Sequence, residues 1–348
     1  EQSLHKLKTY FSKDLLIGLF NVFSFQINKT LNQVNESELK EPHLVQLFNR
    51  FATYNGSSPY KTPGMMTLVQ HLEQEYGTYV SDKGMNNITK SLYDLAIRHG
   101  VKFKFESYVS KILVNNKKAV GVLVGEKPYN SEIVVSNMDI VPTYRNLLKN
   151  HYHPEKTLNQ ERSSSALIFY WGIKKEFKNL DLHNIFFSTD YKKEFQSIFE
   201  DNTISSDPTV YVNITSKDVK GDAPDNCENW FVMINSPNDS GQDWDSMIDD
   251  VKSTILKKIN KLLKINLEDF IEHEKVYTPK TIQANTQSHM GSLYGSSSNN
   301  LMSAFLRHPN FSNEILNLYF CGGSVHPGGG IPLCLLSAKI VSQLIKNK

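Results

Sequence analysis

The alternation of apolar and polar positions changes character along the chain, and each change predicts a different kind of element. Residues 1–50 read as helical with mixed faces. Leu15, Leu16, Leu19 and Phe20 fall on one helical side, and Val22 and Phe23 complete it. That stripe suits a core-facing helix or a helix that rims a lipid-accessible cavity. Between Phe51 and Gly64 the periodicity breaks, and Gly56, Pro59, Pro63 and Gly64 predict a loop with tight turns. Residues 66–76 read as a helix stopped by Gly77. Residues 86–99 read as another, with Ile88, Leu92, Leu95 and Ala96 on its core side and Gly100 behind it.

The period then drops to two. Val101, Phe103 and Phe105 alternate with Lys102 and Lys104, which predicts a strand. Residues 109–114 and 119–124 predict a hairpin around Asn115, Asn116, Lys117 and Lys118, and residues 132–136 a short buried strand. Further on, residues 166–172, 184–188, 209–214 and 230–234 are rich in aromatic and β-branched side chains and separated by polar turns, so they read as strands. A helix follows from Trp244 to Leu263, with Ile255, Ile259, Leu262 and Leu263 in one stripe and Lys252, Lys257, Lys258, Lys261 and Lys264 largely off it. The lysines suit a solvated face or a surface drawn to anionic lipid.

At 348 residues the chain is long enough for about two domains. Its 39% hydrophobic content excludes disorder of the whole chain. Lys and Arg number 38 against 36 Asp and Glu, a balance that argues against a nucleic-acid binder. Cys227, Cys321 and Cys334 have neither metal-ligand nor redox spacing, which fits a reducing compartment. The sequence contains no apolar run of membrane-spanning length.

The chemistry concentrates near the C-terminus, in LYFCGGSVHPGGGIPLCLLSAKI from Leu318 to Ile340. A short apolar strand meets a glycine-rich turn, and Ile331-Pro332 opens an apolar helix. Such a helix start presents unpaired N–H groups and partial positive charge, and glycines let a planar or anionic ligand approach the backbone. A flavin, whose N1–C2=O edge gains negative charge on reduction, fits that description. A tight turn without a ligand fits it too.

The run GGSVHPGGGIPLCLLSAK resembles the C-terminal flavin motif of the phytoene desaturase family of carotenoid enzymes, FAD-dependent oxidoreductases. Other matches follow in chain order. They are Tyr54, Gly56 and Pro59 in the early loop, IVVSNMD ending at Asp139, DPTVYVN from Asp207, and Tyr277-Thr278-Pro279 followed by Gly291 and Gly295. The similarity runs from about residue 45 to the C-terminus. Two departures stand out. The family's Lys-Gly-Gly-Met turn reads Asp82-Lys83-Gly84-Met85, and the Gly-x-Gly-x-x-Gly turn that holds the diphosphate of FAD is absent from these residues. The expectation is a chain that lacks its N-terminal dinucleotide-binding segment and, alone, binds FAD weakly or not at all.

The resemblance implies a mixed α/β, amine-oxidase-like fold of two domains. Residues 77–150 and 285–348 would form the remainder of the FAD domain, and residues 1–76 and 151–284 the substrate domain. By the same resemblance Val109 meets the adenine end. Gly322, Gly323 and Ser324 approach the phosphate or ribitol, and Gly330, Ile331 and Pro332 lie against the isoalloxazine edge. The implied reaction desaturates a long apolar polyene such as phytoene in an apolar tunnel, in a cytoplasmic enzyme attached peripherally to a membrane. Contacts with the membrane would come from the Leu15 to Phe25 stripe and the lysine helix. No acid–base pair is evident. His326 is the one candidate base, or it only shapes the turn. Arg307, His308, His151 and His153 read as solvated or structural, and Tyr170 and Trp171 as sheet core or tunnel lining. A polyene isomerase, a carotenoid oxidase, a retinol-saturase-like reductase and a non-enzymatic lipid-binding protein on the same fold share these motifs. Metal ligands and nucleic-acid contacts are not expected.

Overall fold

The computed structural model describes residues 26–82, 84–300 and 306–347. The stripe from Leu15 to Phe25 and Lys83 therefore lie outside the described residues. Helix α1 (Leu31–Glu38) starts at a capping box in which Thr30 Oγ1 accepts from the Gln33 N–H at 3.2 Å and Gln33 Oε1 accepts from the Thr30 N–H at 2.9 Å. Helix α2 (Pro42–Asn49) runs into a 3-10 turn, Arg50–Asn55, that stops at Gly56 with φ +55°. Helices α3 (Thr67–Tyr76) and α4 (Asn86–Arg98) follow as predicted.

The predicted apolar stripe of α4 is not buried, however. No α4 residue is buried, and Leu92 and Leu95 are exposed. The expected strand at Val101, Phe103 and Phe105 pairs with no described strand. Its two phenylalanines instead gather with Tyr93, whose ring centre is 4.5 Å from that of Phe103. Alternation is a signal of a pleated face only where a neighbouring strand supplies hydrogen bonds.

Strands β1 (Val109–Asn115) and β2 (Lys118–Val124) form the predicted hairpin. Asn116 and Lys117 both take positive φ at its tip, the conformation a two-residue turn of this kind requires. Strand β3 (Lys127–Asn130) adds a third member, and β4 (Val134–Ser136) lies apart from this sheet.

A larger sheet comes next, entirely antiparallel. It is built from β5 (Ser165–Ile173), β6 (His183–Phe186), β7 (Val210–Ile214), β8 (Glu228–Ser236) and β9 (Ile271–Tyr277), ordered β6-β7-β8-β5-β9. Sequence periodicity missed β9, whose IEHEKVY is too charged to read as a strand. It also missed helix α5 (Tyr191–Phe199). Side chains alternate across the sheet. Leu167, Phe169, Trp171 and Ile173 of β5 meet Trp230, Val232 and Ile234 of β8 on one face, under helix α6 (Trp244–Leu263). Each such side chain, fully buried, contributes about 1.5–3 kcal/mol. Trp171 is thus core, as is Ile255 with Ile259, whereas Leu262 of the predicted stripe is exposed.

The opposite face carries an aromatic row that crosses all five strands. Tyr277, Tyr170, Phe231, Tyr211 and His183 follow one another with ring-centre separations of 5.6, 5.4, 6.4 and 6.0 Å. Arg50 lies 5.1 Å above the Tyr211 ring. Tyr170 therefore belongs to the open face and not to the sheet core.

Helix α7 (Pro279–Thr286), with Thr278 as its cap and Pro279 in its first turn, leads away from the sheet. Strand β10 (Leu318–Phe320) pairs in parallel with β4, and helix α8 (Ile331–Lys346) closes the chain. A second core joins Ile112 and Val134 to Leu318, Phe320 and Val325, with Tyr144 and Leu147 among them. This core fixes the segment between β10 and α8.

Candidate functional site

The segment from Cys321 to Gly330 is held from several sides. Asn310, fully buried, donates from Nδ2 to Phe320 O at 3.2 Å and His326 O at 2.7 Å, so it ties the two ends of the turn together. The same group reaches Ser337 Oγ of α8 at 2.9 Å, and that oxygen accepts from the Gly322 N–H at 3.2 Å. Asn137 Nδ2 donates to Cys321 O at 3.0 Å. Ser324 Oγ accepts from the Ile140 N–H at 2.9 Å, which joins the turn to the chain leaving β4.

Glycines make these approaches possible. A Cβ on Gly295 (φ +71°) would lie 2.6 Å from Ser324 Cα, and one on Gly329 would lie 2.8 Å from Tyr294 Cδ1. The other edge of the Tyr294 ring faces Gly56, whose Cβ would fall 2.9 Å from Cδ2. Gly56 of the early loop and Gly329 of the late turn thus clamp one tyrosine. Sequence separation hides that contact.

A buried ion pair stands beside the turn. Asp139 and Arg162, with side chains 6% and 5% exposed, meet through Oδ2 and Nη2. Asp139 Oδ1 also accepts from the Val141 N–H at 3.0 Å, and Oδ2 from the His289 N–H at 3.3 Å. Arg162 Nε donates to Ser292 Oγ at 3.1 Å. Between these groups and the turn lies a cleft of about 250 Å³, bordered by Asn137, Asp139, Ser292, Leu293, Gly295, Gly323 and Ser324.

The entrance to α8 is bare. Gly330 takes φ +94°, no side chain caps the helix, and a Cβ there would meet nothing within 4 Å. Ile331 and Leu335, one turn apart, are 50% and 51% exposed. A free helix N-terminus beside an open apolar strip fits a flat ring with an electron-rich edge. Burial pushes the thiols of Cys321 and Cys334 up from their ordinary range, which favours their protonated form. Among the described residues no cluster of His, Cys, Asp and Glu could hold a metal ion.

The curated relatives decide what kind of protein this is. The chain is 55% identical over 347 residues to a 1-hydroxycarotenoid 3,4-desaturase from Flavobacterium sp. (strain P99-3), covering all of this chain and 71% of that protein. The chain belongs to the carotenoid desaturase family. More distant relatives are a 4,4'-diapolycopene oxygenase from Methylomonas sp, 31% identical over 94% of this chain and 67% of that one, and a phytoene desaturase from Fusarium fujikuroi, 30% identical over 94% and 62%. No protein-family model matches the sequence. Among solved structures, an oxidoreductase from Methanosarcina mazei aligns over 98% of this chain and 74% of that one, with a TM-score of 0.61 at 13% identity. A redesigned putrescine oxidase aligns over 100% and 78%, with a TM-score of 0.56 at 10% identity. The fold is accordingly the mixed, amine-oxidase-like one that the resemblance implied.

In this carotenoid desaturase-family chain, the expected site residues Gly322, Gly323, Ser324, Gly330, Ile331 and Pro332 share one turn. Val109 lies at the start of β1, packed against the smaller core that also holds Phe320 and Val325. His326 is 7% exposed, with its backbone N–H donating to His308 O at 2.9 Å and its own carbonyl taken by Asn310. Sequence reasoning missed Arg162, Tyr294, Asn310 and Arg307 as parts of the site. Arg307 corrects the solvated reading, because it is 3% exposed. His308 is structural, packed between Tyr144 and Phe320. The lysine helix also needs correcting. Lys258 turns inward to Asp207 at 2.6 Å and to two backbone carbonyls, and Lys252 pairs with Glu274 at 2.8 Å. That leaves Lys257, Lys261 and Lys264 exposed.

Proposed function

We propose that this chain forms the substrate-binding part and the ring-binding part of an FAD-dependent carotenoid desaturase. The observation that carries the proposal is the 55% identity to a named desaturase along the whole chain, glycine turn included. When bound, FAD supplies the two-electron acceptor for oxidation of a saturated carbon–carbon bond. Gly322, Gly323 and Ser324 would hold its phosphate or ribitol portion, and Gly330, Ile331 and Pro332 the ring, with Val109 toward the adenine.

The chain's own residues do the rest by positioning. Asn310 and Ser324 fix the turn, so the free N–H groups of α8 face the ring edge without reorganising. The pair Asp139–Arg162 locks the 289–292 segment against the cleft. A polyene offers almost nothing to hydrogen-bond, so recognition rests on apolar surface and shape. The aromatic row from Tyr277 to Tyr211 supplies such a surface across the open face of the large sheet. His326, with both backbone groups engaged, shapes the turn.

The open apolar sides of α4, Phe103 and Phe105 suit a strand-turn-helix unit packed on them, the unit that carries the diphosphate in dinucleotide folds. We keep the division into residues 77–150 with 285–348 and residues 1–76 with 151–284 as part of this reading; the two cores that support it are one within the large sheet and α6 and one around β4 and β10. FAD should then bind this chain alone only weakly.

No helix among the described residues is long and apolar enough to cross a membrane. Peripheral contact with the bilayer that stores the substrate is the expected arrangement. Flotation with anionic liposomes at low salt should carry the protein upward, and failure to associate would count against the contact.

Product analysis tests the reaction. The whole gene product, supplied with FAD and a 1-hydroxylated acyclic carotenoid, should yield a product lacking two hydrogens and absorbing at longer wavelength. Insertion of oxygen would instead favour the oxygenase activity named for the Methylomonas relative. A change of double-bond geometry at constant mass would make the protein an isomerase.

A further inference from the structure

Two arginines are buried near the glycine turn, and among the described residues only one has a carboxylate partner. Arg162 is paired with Asp139. Arg307, 3% exposed, forms no ion pair among the described residues. Residues 301–305, next to it in sequence, contain no acid. Its Nη1 donates to Tyr294 O at 2.6 Å and to Gly323 O at 3.2 Å, two carbonyls on the border of the cleft and turn. A Cβ on Gly328 would lie 3.2 Å from its Nε and 3.4 Å from Cζ, so the guanidinium packs close to the turn at Gly328.

Burying an ion without a partner is costly, and buried charges are ordinarily paired or neutralised. Burial and the nearby Arg162 charge bring Arg307 down to about 10, still far above neutrality, so it stays protonated. Carbonyl dipoles offset part of that charge, and an anion in the turn would offset the rest.

We propose that Arg307 is the buried counter-charge for the cofactor, held behind the glycine turn so that it stabilises the negative charge the flavin edge gains on reduction. This rests on the FAD-binding reading given above. It goes beyond that reading by assigning a redox-tuning role to a side chain that could otherwise be a mere staple between two loops. The field of a fixed cation in a low-dielectric setting favours the reduced, more negative form and raises the midpoint potential.

The test uses the whole gene product loaded with FAD, with Arg307→Met and Arg307→Lys beside the wild type. Midpoint potential is measured by equilibration with a redox dye, FAD affinity by fluorescence titration, and folding by circular dichroism. Arg307→Met should lower the potential and weaken FAD binding by roughly tenfold or more, through loss of the cation's field. Arg307→Lys should keep a potential close to the wild type, because it keeps the charge. A staple would behave differently: Arg307→Lys would shift the potential as far as Arg307→Met, or Arg307→Met would hold FAD with the potential unmoved. Either result overturns the proposal. If Arg307→Met does not fold, the lysine variant decides alone, since a lowered potential there contradicts the role and an unmoved one supports it. A wild-type protein that takes up no FAD would instead bring down the functional reading itself.

Discussion

Replacing Asp139 by alanine should lower the unfolding free energy by about 3–5 kcal/mol, the usual cost of leaving a buried charge without its partner. The carboxylate is 6% exposed and satisfies three groups at once, namely Arg162 and the N–H groups of Val141 and His289. Against a typical total of about 5–15 kcal/mol, such a loss would leave much of the protein marginal. Urea unfolding at neutral pH measures it. Asp139→Asn should cost less, because an amide oxygen still accepts from Val141. The double variant Asp139→Ala with Arg162→Met should recover part of the loss by removing the stranded cation. A single-variant cost below about 1 kcal/mol would mean that the pair is solvated, in the range of surface salt bridges.

Gly295→Val should be the most damaging change to the turn. The backbone there is left-handed, and the new Cβ would stand 2.6 Å from Ser324 Cα and 3.1 Å from Gly323 O. Neither atom is the flexible end of a side chain, so the turn itself must move. We expect a stability loss of at least about 3 kcal/mol and loss of FAD binding by the whole gene product. Gly241→Ala provides the comparison, since φ is +100° but the Cβ would meet nothing within 4 Å. It should cost only the conformational strain, about 1–2 kcal/mol, and leave FAD affinity unchanged. Equal effects from the two substitutions would show that backbone strain and not the close approach to Ser324 governs the site.

What was legible in the sequence follows from range. The 109–124 hairpin, the helix from Trp244 to Leu263 and the strand–turn–helix at 318–340 are written in local periodicity and glycine placement, and the fold keeps them. Strand β9 was illegible because its charged side chains lie on an exposed flank, where the partner β5 supplies the pairing. The stripes of α4 and of Phe103 with Phe105 had the right spacing for burial, but spacing says nothing about whether a partner surface is present. At the site, the glycine turn could be read directly. The residues that hold it, Asn310, Arg307, Tyr294 and Arg162, come from other parts of the chain. Their polar character alone favours solvation, and only tertiary contact turns Arg307 from a surface residue into a buried cation.

The account depends on the bare entrance to α8 being the seat of the flavin ring. Titrating the whole gene product with FAD, wild type against Gly330→Val, tests it most directly through absorbance and fluorescence. A Cβ at Gly330 meets nothing within 4 Å, so a valine there would project into the open space before the helix and strain a left-handed backbone. The account predicts a yellow, stoichiometric wild-type complex and a folded variant with FAD binding largely lost. Undiminished flavin uptake by Gly330→Val, or a wild type that remains colourless with FAD in excess, would contradict it.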